Sequence, residues 1–261
     1  MEAKINKVVA VVTGGSSGVG KSIVERIIRN NGRVVVIDID EEKGQSVVKS
    51  LGSNVVFVKA DVTSEKEVKE ALAIAMEKFS RINVLINCAG IVKWGAPYNF
   101  EKNAALSIES FQKVMDVNAL GTFNVTRLVA GLMGENEPDE NGERGVIINI
   151  GSVLAADGNV DFFAYSVSKA TVVGMTIPLA RAFADKAIRV VSLSPGYLDT
   201  PMTRNEFPIE KLNETMLKLN LFPKRLGQPE EIAHLIQCII ENPFINAVNL
   251  TISGGFHNTN K

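Results

Sequence analysis

Only two cysteines occur in 261 residues, Cys88 and Cys238, far apart in the chain. Neither a disulfide framework nor a zinc site is spelled out, and a reducing compartment fits best. The two histidines, His234 and His257, lack metal-ligand spacing. Each reads as structural or solvated, so no metal is expected. No apolar run reaches the roughly 18 residues that a membrane helix needs. Neither sign of charge prevails, with 28 Lys plus Arg against 29 Asp plus Glu and a net charge of −1. That balance argues against a broad basic surface for nucleic acid. Met1–Lys7 runs almost at once into a β-like stretch, which leaves no room for a cleavable secretory signal. The same segment is short, lacks Arg and contains Glu2, so no mitochondrial presequence is expected. An import signal embedded in the first fold unit would look no different.

What is present is alternation. Short β-branched runs at Val8–Thr13, Arg33–Asp38, Val55–Lys59, Val84–Asn87, Val146–Ile150, Val190–Ser194 and Val248–Ile252 read as strands. Their near-continuous apolar character suits parallel strands buried on both faces. Helical patterns lie between them at Val19–Asn30, Ser64–Phe79, Ser107–Met133, Tyr165–Ala184 and Pro229–Ile240. Asn30-Asn31-Gly32 ends the first of these, and Ser64 with Glu67 predicts a capping box on the second. The expectation is a single α/β domain with a doubly wound, mostly parallel, seven-stranded sheet and helices on both faces. Two segments exceed that scaffold: a polar surface insertion at 134–145, and a Pro-rich stretch at about 197–223 that reads as a substrate lid.

The loop after the first strand is Thr13-Gly14-Gly15-Ser16-Ser17-Gly18-Val19-Gly20. Glycines there permit a tight turn and close approach of backbone amides to a pyrophosphate, with the helix N-terminus adding unpaired N–H groups. A tight loop is the bland alternative, which the placement between strand and helix outweighs. Asp38 closes the second strand, where a carboxylate accepts both adenosine ribose hydroxyls and repels a 2′-phosphate. No Arg or Lys occupies Ser16, Ser17 or Ile39, and Arg33 lies about 16 Å away along the strand. NAD is therefore expected rather than NADP. Asp61 after the third strand, and Asn87-Cys88-Ala89-Gly90 after the fourth, fall at the same sheet edge. They read as adenine contacts and loop supports, with a helix cap or turn as the alternative for Asp61. Cys88 reads as a small apolar group, and Trp94 as either pocket lining or a cover for the sheet edge.

Tyr165 and Lys169 are four residues apart on one helical face. A phenol titrates near 10. An adjacent ammonium and a cationic nicotinamide both favour phenolate, so the expectation is a Tyr165 lowered towards neutrality as proton donor and acceptor. Lys169 also suits the nicotinamide ribose. Ser152 lies just past the fifth strand and is placed to hydrogen-bond a substrate oxygen. Asn118 falls inside the long Ser107–Met133 pattern, where it is expected to distort the helix and order water behind Lys169.

Together with Pro195-Gly196, these motifs resemble the short-chain dehydrogenase/reductase family over essentially the whole chain. The resemblance implies an Asn118–Ser152–Tyr165–Lys169 catalytic set and a contact from Thr200 to the nicotinamide carboxamide. Val62, Pro195, Gly196 and Leu198 join the cofactor contacts on the same ground. Gly121–Met133, Asn136–Pro138, Arg144–Asn149 and Ile240–Phe244 further resemble the 3-hydroxyacyl-CoA dehydrogenase branch of that family. That likeness implies NAD-linked interconversion of short or 2-methyl-branched 3-hydroxyacyl-CoA and 3-oxoacyl-CoA thioesters. Steroids or other secondary alcohols are the alternative substrates. It also implies a mitochondrial homotetramer paired through its long helices, with a cytoplasmic location as the alternative, and a non-catalytic role with a transfer-RNA-processing partner. The chain departs from the branch at Asp161, Phe162 and Phe163, where relatives carry small residues and a Gln at the position of Phe162. It departs again at Tyr197-Leu198-Asp199, where they carry Leu-Phe-Gly. Phe162 is thereby expected to face substrate beside Ser152 and Tyr165.

Overall fold

A computed structural model describes residues 4–206 and 208–256. Its main sheet has seven strands in the order β3-β2-β1-β4-β7-β8-β9, all neighbours parallel. These are β1 Val9–Thr13, β2 Arg33–Asp38, β3 Val55–Lys59, β4 Val84–Asn87, β7 Gly145–Ile150, β8 Ile188–Pro195 and β9 Asn249–Ile252. Between them come helices α1 Gly18–Arg29, α2 Glu41–Leu51, α3 Glu65–Phe79, α4 Ile108–Met115 and α5 Thr122–Gly134. After β7 follow α6 Leu154–Asp157, α7 Phe163–Gly174 and α8 Thr176–Ala182, and after β8 come α9 Pro201–Glu206, α10 Ile209–Leu219 and α11 Pro229–Glu241. A two-stranded hairpin, β5 Tyr98–Asn99 and β6 Ala104–Ala105, was not expected. Among the described residues no helix is long and apolar enough to cross a membrane.

The apolar strands follow from a sheet buried on both faces. Ala10, Val12, Val34, Val36, Val84 and Ile86 point to one side, against α1, α2 and α11. Val9, Val11, Val35, Ile37 and Leu85 point to the other, against α3, α5 and α8. Each fully buried Val, Ile or Leu contributes roughly 1.5–3 kcal/mol, so neither face tolerates a polar residue cheaply. Connections from β1 leave in one direction along the sheet and those from β4 in the other. The crevice at the carboxyl ends of β1 and β4 is where such sheets bind ligands.

Several local expectations need revision. The Ser107–Met133 pattern is not one helix, because a π-turn at Asp116–Gly121 divides α4 from α5. The Tyr165–Ala184 pattern begins earlier, at Phe163, and breaks at Met175. Helix α2 was not anticipated. The capping box on α3 is half formed: Ser64 Oγ accepts from the Glu67 N–H, but the Glu67 carboxylate turns to the Asp61 N–H at 2.8 Å. Asn31 adopts φ 63°, as the helix-ending signal required.

The 134–145 insertion is more than a surface turn. Asn136 Nδ2 donates to the Ile82 and Arg144 carbonyls at 2.7 and 3.0 Å. Glu143 meets Arg189 of β8 at 3.1 Å, with side-chain exposures of only 8% and 7%. Arg189 Nη1 also donates to the Ile245 carbonyl at 2.6 Å. The insertion is thus fastened beneath the sheet by a buried ion pair.

Candidate active site

A single cleft at the switch point gathers most of the residues singled out above. Gly14 turns there with φ 65°, and a Cβ on it would lie 2.8 Å from the Ala89 backbone. A Cβ on Gly20 would lie 2.2 Å from the Gly14 carbonyl oxygen, so loop and helix meet in contact that admits no side chain. Thr13 Oγ1 accepts from the Cys88 and Ala89 N–H groups, both at 3.1 Å, and ties β1 to the end of β4. Ser17 stands at the head of α1 without a side-chain cap. It lines the cleft with Gly14, Gly18 and Val19. This is a cradle open to an anion at a helix N-terminus, and it fits the pyrophosphate of a dinucleotide.

Asp38, Asp61, Val62, Cys88, Ala89 and Gly90 line the adjoining wall. The Asp38 carboxylate is already oriented, since Oδ1 accepts from the Asp40 N–H at 3.2 Å. Its Oδ2 accepts from the Ser16 N–H at 3.2 Å and pairs with the Ser16 hydroxyl. Ser16 is buried, and its hydroxyl and N–H are both turned to Asp38. Asp61 serves both readings. It lines the cleft, while Oδ1 accepts from the N–H and hydroxyl of Thr63 at 2.9 and 2.8 Å in the turn before α3.

At the other end, Ser152, Tyr165 and Lys169 converge with Phe162, Pro195, Gly196, Leu198 and Thr200. Ser152 acts on the Tyr165 phenol in the sense that favours its ionised form. Lys169 Nζ lies 5.7 Å from the Tyr165 ring centre and donates to the Ile150 carbonyl at 2.7 Å. Thr200 faces the cleft while its hydroxyl also accepts from the Thr203 N–H at 3.3 Å, at the start of α9.

Asn118 occupies the π-turn, so the expected helix distortion is present. Its side chain, however, is spent on protein. Oδ1 accepts from the Ile91 N–H at 2.8 Å, and Nδ2 donates to the Ile91 carbonyl and to Ser168 Oγ, both at 2.9 Å. Asn118 thereby clamps the loop after β4 to α7, the helix that carries Tyr165 and Lys169.

This arrangement can be set beside known proteins. Residues 8–211 match the family model for the short chain dehydrogenases. The chain is 48% identical over 250 residues to the 3-hydroxyacyl-CoA dehydrogenase type-2 proteins of Drosophila melanogaster and Homo sapiens. The alignments cover 96% of this chain and 97% and 95% of those proteins. It is 34% identical to the ipsdienol dehydrogenase of Ips pini, covering 97% of this chain and 98% of that protein. The crystal structure of 3-hydroxyacyl-CoA dehydrogenase type-2 from Mycobacterium avium superimposes with a TM-score of 0.93 over the full length of both chains, at 31% identity. The chain belongs to the short-chain dehydrogenase family.

In this short-chain dehydrogenase without its cofactor, burial governs the proton chemistry of the cleft. Burial pushes the Tyr165 phenol up to about 12, and Ser152 only partly offsets it. Burial also pushes the Lys169 ammonium down to about 8. Both shifts come first from removal from water, because each charged form loses its hydration. Burial raises the Cys88 thiol to about 11 as well, in keeping with an apolar wall group.

Several cleft residues escaped the sequence reading. Ile91, Val92, Val153, Leu154 and Glu206 all line it. Ser168, the Asn118 partner, sits three residues after Tyr165 and had the right spacing to be noticed. Trp94 fits neither reading alone: its ring lies against Phe162 at 4.3 Å, and Nε1 donates to the Glu206 carboxylate on α9. From the 197–223 segment, Tyr197, Leu198, Thr200, Pro201, Met202, Thr203 and Glu206 line the cleft. Phe207 and His257 lie outside the described residues, and His234 is exposed on α11.

Proposed function

We propose that this short-chain dehydrogenase is NAD-linked and interconverts 3-hydroxyacyl-CoA and 3-oxoacyl-CoA thioesters, with short or 2-methyl-branched acyl chains. The observation that carries it is the meeting of the Ser152–Tyr165–Lys169 cluster with the glycine cradle in one cleft. The 3-hydroxyacyl-CoA dehydrogenase names carried by the 48%-identical relatives support the substrate class.

Gly14, Ser17, Gly18 and Val19 would hold the pyrophosphate of the dinucleotide, and Asp38 the adenosine ribose. NAD is favoured because a 2′-phosphate would lie against the Asp38 carboxylate, and among the described residues no arginine lines the cleft to balance it. The neighbouring lysines are engaged: Lys43 pairs with Asp40 at 2.5 Å and Lys59 with Glu41 at 3.1 Å. Lys169 would hold the nicotinamide ribose, and Thr200 and Leu198 would border the nicotinamide. The bound cofactor supplies or takes the hydride.

The remaining work falls to the chain. Ser152 hydrogen-bonds the substrate oxygen and holds it against the Tyr165 hydroxyl. Tyr165 gives its proton to that oxygen during reduction and takes it back during oxidation. Lys169 places positive charge behind the phenol, so phenolate is least costly when the proton has just left. Asn118 keeps α7 and the loop after β4 in register. A homo-oligomer accords with exposed Leu120, Phe123 and Ile177 on the long-helix face.

The test is a substrate panel. Acetoacetyl-CoA is expected to exceed a CoA-free ketone and a ketosteroid in kcat/KM by about tenfold or more, the least that a differentially recognised group supplies. Equal or greater efficiency with the steroid would remove the thioester assignment while leaving the family untouched.

A further inference from the structure

The wall beside Tyr165 is built differently from the rest of the cleft, and its construction is specific. Phe162 is buried, and its main chain is held from three directions. Its N–H donates to Asn159 Oδ1 at 3.1 Å, its carbonyl accepts from the Ser166 N–H at 2.9 Å, and the Gly95 N–H donates to the adjacent Asp161 carbonyl at 2.7 Å. The Trp94 ring lies against it, tilted by 49° with centroids 4.3 Å apart, and Trp94 is tied in turn to Glu206 of α9. Leu212 of α10, Leu226, Val153 and Leu154 belong to the same apolar cluster as Phe162. Side chains fixed by both packing and backbone hydrogen bonds do not yield to an extra methylene without cost.

The direction of the substrate follows from solvation. A CoA moiety carries several charges and must leave the reacting carbon towards water, because burying unpaired charge is prohibitive. The alkyl end of a 3-oxoacyl group then points the opposite way, towards the apolar cluster of Phe162, Val153 and Leu154. We propose that Phe162, backed by Trp94, is the end wall that limits the acyl chain, so that this enzyme selects short thioesters. The inference rests on the thioester reading given above. Phe162 sets specificity by contact, and Trp94 is a positioning residue that keeps the ring from retreating.

The experiment compares kcat/KM for eight-carbon and four-carbon 3-oxoacyl-CoA in the full-length enzyme, Phe162→Ala, Phe162→Leu and Trp94→Ala. A ratio is read because general damage lowers both rates together. The parent enzyme is expected to favour the four-carbon substrate. Phe162→Ala is expected to raise the eight-to-four ratio by roughly tenfold or more, the scale on which hydrophobic pockets discriminate by methylenes. Trp94→Ala is expected to raise it in the same direction by less. Phe162→Leu keeps an apolar contact in the cluster and serves if the alanine variant does not fold; it too should raise the ratio. An unchanged ratio in both Phe162 variants overturns the end wall, and an unchanged ratio in Trp94→Ala overturns the backing. If the parent turns over a CoA-free ketone but neither thioester, the thioester reading itself has failed and this inference falls with it.

Discussion

Replacing Tyr165 with Phe is expected to lower kcat/KM by about a hundred- to ten-thousand-fold, the usual contribution of a positioned acid–base group. The ring is retained, so its packing survives. Cofactor affinity should change little, since the glycine cradle and Asp38 lie at the other end of the cleft. Isothermal titration alongside steady-state rates separates the two. A variant that keeps activity within tenfold of the parent would remove Tyr165 from the proton-transfer role.

The pH dependence belongs to the same prediction. Without cofactor, burial holds the phenol up at about 12, so Tyr165 keeps its proton in the neutral range. That is the state needed to reduce a ketone. Oxidation needs the group deprotonated, so its kcat/KM is expected to rise with pH, and Tyr165→Phe should abolish that rise. For stability the signs differ. A phenol raised above its unfolded value near 10 contributes stability that is present below pH 10 and lost as pH climbs towards 12. Lys169, depressed to about 8, contributes stability that is present above its unfolded value near 10.5 and lost as pH falls through 8. Without cofactor, the two groups therefore press the stability optimum to the alkaline side of neutrality.

Glu143→Ala is expected to be strongly destabilising although it lies outside the cleft. It leaves the Arg189 guanidinium buried against β8 with its carboxylate partner gone. Breaking one side of a buried pair costs about 3–5 kcal/mol. For a domain of this size, each kcal/mol moves Tm by roughly 2–4 °C, so a fall of about 6–20 °C is expected. Glu143→Gln keeps an acceptor for Arg189 and should lose less. Thermal unfolding followed by circular dichroism decides. A shift below about 2 °C for the alanine variant would mean that water reaches Arg189 and the insertion is only a surface turn.

The parts of the molecule that were legible in the sequence are those governed by local pattern. Val34, Val35, Val36 and Ile37 had to be a strand covered on both faces, and they are. Asn118 in the middle of an otherwise regular helical pattern marked the π-turn. Helix α2 was missed because Gly44, Gln45 and Ser46 interrupt its apolar face, leaving only Val47, Val48 and Leu51 to announce it. The burial of Tyr165 and Lys169 was not legible, because a helical wheel shows their nearness but not the loss of water around both groups. Trp94 and Glu206 are 112 positions apart, and Glu143 and Arg189 are 46 apart. Such pairings have no spacing rule and appear only when the sheet brings their elements together.

The central claim is an NAD-linked reductase for 3-oxoacyl-CoA, and it is tested most directly by initial rates with acetoacetyl-CoA and either NADH or NADPH at equal concentration. Saturable oxidation of NADH, with NADPH slower by about tenfold or more, is the expected result for a ribose site built on Asp38 without a cation. No oxidation of NADH with the thioester, or equal rates with the two cofactors, would contradict it.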